Sequence, residues 1–255
     1  MYKIISDKSV DKLTEKVNAL HTHPDSWSES GGIAVSGNGK DVTFYQTMVR
    51  KITTPLMEDL QSELTDEHAK ILINLGADVN AQNHQKITPL MFAAAFSTEE
   101  IVKLLISRKA DVNAADEEGN TPLTWAVMHS KKIENVQALI NSGANVNAVT
   151  KAGRSILMSA LYNTEDVGII KYLIDKGADV NAKYDDCKLK GITPLMIALK
   201  NDRPYAVIKR LLDAGADVNT EDSHGKTAWN YAQESYADDM VLELLKEYGS
   251  ITSRR

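Results

Sequence analysis

The sequence predicts a mainly α-helical solenoid of about six stacked helix pairs, preceded by a small α+β module. Three observations carry that expectation. First, the phrase GADVNA at 76–81 recurs as KADVNA at 109–114, GANVNA at 143–148, GADVNA at 177–182 and GADVNT at 215–220. Its asparagines (Asn80, Asn113, Asn147, Asn181 and Asn219) lie 33, 34, 34 and 38 residues apart by subtraction. Second, another phrase keeps the same time: Thr88-Pro89-Leu90, Thr121-Pro122-Leu123, Ser155-Ile156-Leu157, Thr193-Pro194-Leu195 and Thr227-Ala228-Trp229. Self-similarity at such a period marks one supersecondary unit stacked on copies of itself. Third, 43% hydrophobic and 25% charged residues suit a soluble chain with a substantial core, whereas 6% aromatic content and 14 glycines argue against a β-sandwich or a disordered chain.

Residues 1–50 contain no repeat phrase. Tyr2–Ile5 reads as a strand, and Val10, Leu13, Val17 and Leu20 fall at helical spacing behind Ser6 or Ser9 as caps. Two β-prone runs, Gly32–Ser36 and Val42–Arg50, flank the turn Gly37-Asn38-Gly39 and read as a hairpin. The order is β-α-β-β. At about 50 residues such a module is marginal alone, so it is expected to dock on the first repeat as a cap, with strand addition at its open edge as the sharper alternative.

The repeat spanning Lys86–Ala114 shows how each unit is built. Thr88 precedes Pro89, and a proline in the first helical turn loses nothing because its missing N–H would be unpaired there. Leu90, Ala93 and Ala94 then form an apolar stripe on a short helix. Ser97 with Glu100 reads as a capping box for a second helix, whose stripe is Ile101, Leu104 and Leu105. In the closing ADVNA phrase Val112 is the apolar anchor, while Asp and Asn side chains can bond the turning backbone. Gly119, Gly153, Gly191 and Gly225 can supply the left-handed turn of a hairpin finger. Gly191 comes ten residues after its asparagine and the other three come six after, so the finger Lys183–Lys190 is expected to be enlarged. Offsets place the repeats near 52–83, 84–116, 117–150, 151–187, 188–222 and 223–250. The outer two, one eroded by Glu58 and Asp59 and one lacking the VN phrase, are expected to act as caps.

Helix, turn, helix, the GADVNA phrase and a hairpin tip before T-P-L resemble the ankyrin repeat over about residues 52–250. The resemblance implies stacked antiparallel helix pairs with β-hairpin fingers near a right angle, and partner recognition along the concave surface of fingers and inner helices. The histidine usual after T-P-L is replaced by Met91, Thr124, Met158 and Met196, so its backbone bonds must be made otherwise. The phrases YKIIS, SV-x-x-L-x-x-x-VN-x-L, Trp27, Gly31-Gly32 and FYQTMVR resemble a small bacterial domain family of unknown function, which implies no activity.

Nothing in the sequence predicts catalysis, a cofactor or a metal. His21-x-His23 with Asp25 lacks the spacing of a zinc site. Cys187, the single cysteine, follows Asp185 and Asp186, whose charges oppose thiolate formation, and a lone cysteine fits a reducing cytoplasm. Gly37-Asn38-Gly39-Lys40 lacks the full phosphate-loop spacing. A net charge of −6 gives no footprint for nucleic acid, and the longest apolar run, Leu90–Phe96, is too short to insert in a membrane. The amino terminus lacks the apolar core of a signal peptide. The expected location is the cytoplasm and the expected state a monomer.

The functional expectation is a non-enzymatic scaffold that binds another protein: an inhibitor, an immunity-type protein or an adaptor. The alternatives are a small-molecule sensor or enzyme centred on the amino-terminal module, and a secreted bacterial effector acting in a host. By the resemblance, the contact positions are Gln85, Ile87 and Phe96; Glu117, Glu118, Asn120, Met128 and His129; Lys151, Arg154, Tyr162 and Asn163; Lys190, Ile192, Lys200 and Asn201; and His224 with Lys226. Phe96, Met128, His129, Tyr162 and Arg154 are the expected centre, because aromatic residues, Met and Arg concentrate in interface cores.

Overall fold

Each T-P-L phrase starts a helix for a local reason. Thr88, Thr121, Ser155 and Thr193 hold extended backbone, and their hydroxyls accept from the amides of Met91, Thr124, Met158 and Met196 at 3.3–3.4 Å. One otherwise orphaned N–H is thereby satisfied at each helix start. Three cap residues are also served in return. The Thr88 amide donates to Met91 Sδ at 3.4 Å, that of Thr121 to Thr124 Oγ1 at 3.3 Å, and that of Thr227 to Asn230 Oδ1 at 2.9 Å. The positions where the resemblance expects histidine thus supply a thioether, a hydroxyl and an amide oxygen instead, the sulfur being the weakest acceptor of the three.

The computed structural model describes residues 66–74, 76–130, 132–185 and 190–252, all within one compact unit, Val42–Arg255. Its helices, in order, are α1 (Asp66–Asn74), α2 (Pro89–Phe96), α3 (Glu99–Ser107), α4 (Pro122–His129), α5 (Ile133–Asn141), α6 (Ile156–Asn163), α7 (Val167–Asp175), α8 (Pro194–Lys200), α9 (Tyr205–Asp213), α10 (Ala228–Glu234) and α11 (Asp239–Thr252). Five complete pairs follow α1. The helix expected near Thr54-Pro55, which would complete a sixth pair, lies outside the described residues, as does the whole β-α-β-β module expected for 1–50.

Two layers result. The first helices pack in sequence, α2 on α4, α4 on α6, α6 on α8 and α8 on α10, while α1, α3, α5, α7, α9 and α11 pack likewise as the second layer. The first-layer helices lie between two neighbours and their own partner, so they bury more than a stripe: every residue of α2 from Pro89 to Ala95 is buried. A helix apolar all round suits that position. The second-layer helices keep the expected one-sided pattern, with Ile101, Val102 and Leu105 of α3 buried and Lys103 and Glu99 ion-paired at 2.8 Å on its outer face.

The capping box expected at Ser97 and Glu100 is not formed. Ser97 is the C-cap of α2, its amide donating to the Ala93 carbonyl, and Thr98 is the N-cap of α3. The Thr98 hydroxyl and amide instead donate to Asp66 Oδ2 at the start of α1, a tertiary partner that local spacing does not reveal.

Helix ends in the second layer are closed by the glycine of the GADVNA phrase. After α5, Gly143 has φ 91°, and its amide donates to Ile140 while that of Ala144 donates to Leu139. This pattern satisfies two last-turn carbonyls in a left-handed cap. Lys109 occupies the same position after α3 with φ 72°.

The repeated asparagine then ties each unit to the next. Asn80 Oδ1 accepts from the Asp111 amide at 2.7 Å, and its Nδ2 donates to the Lys109 carbonyl at 2.9 Å. Asn113 makes the same pair with Asn145 and Gly143, Asn147 with Asp179 and Gly177, and Asn181 with Asp217 and Gly215, all at 2.8–3.1 Å. A side-chain amide presents one acceptor and a donor pair, so one asparagine satisfies both backbone groups.

The fingers are tighter than the expected β-hairpins. Among the described residues there is no named strand, only the antiparallel bridges Val149↔Ser155 and Tyr184↔Ile192. Four fingers close between residues four apart: the amide of Asn83 to the carbonyl of Ile87, Asp116 to Asn120, Thr150 to Arg154 and Asp222 to Lys226. In the remaining finger the Tyr184 amide donates to the Ile192 carbonyl, eight residues on. The four extra residues therefore enlarge this finger as the spacing requires, although its tip, 186–189, lies outside the described residues.

Candidate functional site

Neighbouring fingers are stitched by backbone hydrogen bonds, the first three to one another and the last two to each other. The Glu117 amide donates to the Gln85 carbonyl at 2.9 Å, Lys151 to Glu118 at 2.8 Å and Ser223 to Lys190 at 2.8 Å. Gln85, Glu117, Glu118, Lys151, Lys190 and His224 are all exposed on these fingers.

Within each finger an acceptor side chain at the base holds the turn. Asn83 Oδ1 takes the amides of Gln85 and Ile87, Asp116 Oδ1 those of Glu118 and Asn120, and Asp222 Oδ1 those of His224 and Lys226. In two repeats the second carboxylate oxygen reaches the first-layer helix nine residues on: Asp116 Oδ2 accepts from Trp125 Nε1 at 3.0 Å and Asp222 Oδ2 from the Tyr231 hydroxyl at 2.7 Å. Burial pushes the Asp222 carboxyl up, but the bonds from Tyr231, Lys226 and His224 outweigh it and leave it below the ordinary range. Burial and the facing carboxylate raise the Tyr231 phenol far above its usual value. Asp116, Asp222, Trp125 and Tyr231 were not expected as site residues. The signal in the sequence is the spacing of nine between an acid at the finger base and an aromatic donor on the helix.

The first-layer helices carry a run of rings. Phe92 meets Trp125 edge-on at 5.7 Å between centroids, Trp125 meets His129 at 5.4 Å, and His129 meets Phe96 at 5.9 Å. Phe96 is 50% exposed at the end of α2 and His129 is exposed at the end of α4, with Met128 half-buried beside it. Partial burial lowers the His129 pKa, so its ring is neutral at physiological pH and fits an apolar surface. One repeat on, Arg154 lies over the Tyr162 ring at 5.2 Å and over Tyr184 at 5.3 Å.

Several expected contact residues serve the fold instead. Ile87 and Ile192, at 8% and 2% exposure, are buried and not offered to a partner. The residue just before the T-P-L cap lies where the finger returns to the end of the first-layer helix, so an isoleucine there enters the core. The longer cations at the same register, Arg154 and Lys226, instead meet the groups eight residues on, Tyr162 and Glu234. Asn120 donates to both oxygens of Asp116. Asn201 Nδ2 and the guanidinium of Arg203 donate to the Leu161 carbonyl of the preceding unit. Asn163 Nδ2 bonds the Ser159 carbonyl of its own helix, although the residue is exposed, and Lys200 is exposed at the end of α8. Lys226 is engaged by Glu234 at 2.6 Å. What the structure brings together is Phe96, Met128 and His129, with Arg154 beside Tyr162.

Among the described residues no group of three His, Cys, Asp or Glu side chains could hold a metal ion, and no helix is long and apolar enough to cross a membrane. His21, His23, Asp25 and Cys187 lie outside the described residues.

Comparison with curated proteins finds no significant match. A family model described as ankyrin repeats (3 copies) matches residues 56–150 and again residues 157–255. Those segments span most of the chain and coincide with the two-layer array of capped helix pairs and finger turns, and the chain belongs to the ankyrin-repeat family.

Proposed function

We propose that this protein is a non-enzymatic scaffold that recognises a protein partner along the face made by its fingers and first-layer helices. Ankyrin repeats are in general protein-interaction modules. The observation that carries the reading for this chain is Phe96, a large ring left half exposed and stacked on the exposed His129. Folding alone does not require large apolar side chains at helix ends facing solvent, and contiguous exposed apolar groups commonly mark interaction sites. Met128 and Tyr162 lie near the ends of the next two first-layer helices, and Glu117, Glu118 and Lys151 are exposed charges on the fingers. The role is that of an inhibitor, an immunity-type protein or an adaptor working in the cytoplasm as a monomer.

The test is the affinity of a co-purifying protein, once identified, for wild type and for Phe96→Ala and Tyr162→Ala. Loss of about 2 kcal/mol or more in either variant, with an unchanged circular dichroism spectrum, is the expected result for a hot spot. Wild-type affinity in both, together with loss of binding on substitution of exposed second-layer residues such as Lys103 or Lys209, would overturn the assignment.

A further inference from the structure

Among the described residues of this face, Arg154 is a cation held by aromatic surroundings with no carboxylate paired to it. Its guanidinium lies over the rings of both Tyr162 and Tyr184, at 5.2 and 5.3 Å from their centroids, one ring from its own repeat and one from the next finger. Tyr184 is buried, and Arg154 itself is half-buried. Its Nε is sealed from solvent with no acceptor. Among the described residues the other arginines, and Lys226 at the same register, are answered. Lys226 meets Glu234, Arg210 meets Asp175, Arg203 caps the Leu161 carbonyl, and Arg108 bonds Ile73 and Asn74. The carboxylates at the bases of the adjoining fingers are committed as well: Asp116 to Trp125 and its own turn, Asp185 to the Gly191 amide, Asp222 to Tyr231.

A guanidinium held against two rings loses less further freedom on binding, and its planar fork matches a carboxylate in two parallel hydrogen bonds. Partial removal from water strengthens such a pair relative to one on an open surface. Exposed Lys151 on the same finger and Lys190 on the next make this stretch of the fingers cationic, whereas the preceding finger carries Glu117 and Glu118. The charge of the face therefore changes sign between two consecutive fingers, and the rings of Phe96 and His129 lie on the acidic side of that change.

We propose that Arg154, held against Tyr162 and Tyr184, receives an Asp or Glu side chain of the bound partner, so that the groove selects protein segments carrying a carboxylate at this repeat. This rests on the groove reading above and adds the chemistry and register of the partner. A carboxylate would satisfy the outer nitrogens of the guanidinium, and an apolar side chain of the same segment would cover Phe96 and His129.

The test uses the full-length protein and a library of random peptides displayed on phage. Selection on wild type should enrich peptides with an Asp or Glu at a fixed distance from an apolar or aromatic residue. For one selected peptide, affinities are then measured in a double-mutant cycle: wild type and Arg154→Gln against the acid-bearing peptide and its amide counterpart. Either single change should weaken binding about 10-fold or more, and the second change should add little once the first is made. Arg154→Lys, which keeps the charge but not the fork, should fall between wild type and Arg154→Gln and guards against a misfolded glutamine variant. If the acid-to-amide loss is the same in wild type and Arg154→Gln, or if the selected peptides share no acid, this inference is overturned. In that case Phe96→Ala still decides the groove reading, since peptides that lose affinity for it bind there without using Arg154. Selection that yields no binder counts against both.

Discussion

Replacing Asn147 by alanine tests whether the repeated asparagine couples neighbouring units rather than shaping only its own turn. In the structure Asn147 Nδ2 donates to the Gly177 carbonyl at 3.0 Å and Oδ1 accepts from the Asp179 amide at 2.8 Å, thirty and thirty-two residues away. Its own amide bonds Asn145 Oδ1 through the backbone, so that local bond survives the substitution. Each lost bond is worth about 0.5–1.5 kcal/mol net, and exposure of the site places both toward the lower end, giving about 1–2 kcal/mol in total. Asn147→Asp is the sharper variant. It keeps the acceptor for Asp179 but faces the Gly177 carbonyl with a carboxylate oxygen in place of a donor. It should therefore destabilise at least as much as alanine at neutral pH and recover part of the loss when the carboxylate is protonated. Urea unfolding followed by circular dichroism reads the midpoint and the slope. Since solenoid stability is close to a sum of unit and interface terms, weakening one interface should also broaden the transition. Midpoints within error of wild type for both variants would refute the reasoning and leave these bonds as geometry without energetic weight.

Three further outcomes follow from particular backbone and charge environments. Gly119 and Gly153 occupy equivalent finger positions with φ 81° and 83°, but a Cβ on Gly119 would meet the Lys151 amide nitrogen at 2.8 Å while one on Gly153 meets nothing within 4 Å. Gly153→Ala should cost the left-handed strain of about 1–2 kcal/mol, and Gly119→Ala visibly more, because the stitched finger backbones must part; equal melting temperatures would contradict this. Lys109, at φ 72° where Gly143 and Gly177 stand in other repeats, should be improved by Lys109→Gly by about 0.5–1 kcal/mol, and a lower urea midpoint would show that its side chain contributes more than its strain costs. Asp222 is held below the ordinary carboxylate range, so its contribution is present above about pH 4 and is lost as pH falls through the depressed value. Melting temperature should therefore fall less steeply below about pH 4 in Asp222→Asn than in wild type, and identical acid slopes would remove Asp222 from the account.

The sequence by itself determined the period, the elements and most of their ends. Thr88, Thr121 and Thr193 before proline, and Gly76, Gly143, Gly177 and Gly215 after the second helices, act on backbone within a few residues, so their roles are legible from spacing alone. The four added residues before Gly191 were likewise readable as a longer finger. The positions of Phe96, Met128, His129 and Tyr162 near helix ends followed from the repeat register, whereas the contact of Arg154 with Tyr162 did not. What tertiary structure decided is every pairing made between units. Thr98 donates to Asp66 of the preceding unit rather than capping its own helix, Asn135 at 0% exposure donates to the Ala94 and Ser97 carbonyls, and Arg203 and Asn201 close the Leu161 carbonyl. Ile87 and Ile192 enter the core while Arg154 and Lys226, at the same register, do not. Only stacking settles this, because the fate of a side chain at that position depends on its length and on the residue facing it. Tyr184 joins Arg154 from the following finger for the same reason. Local phrases specify backbone geometry over one turn, whereas burial, charge pairing and ring contacts depend on neighbours about one repeat period away, which a repeat pattern brings near without specifying their chemistry.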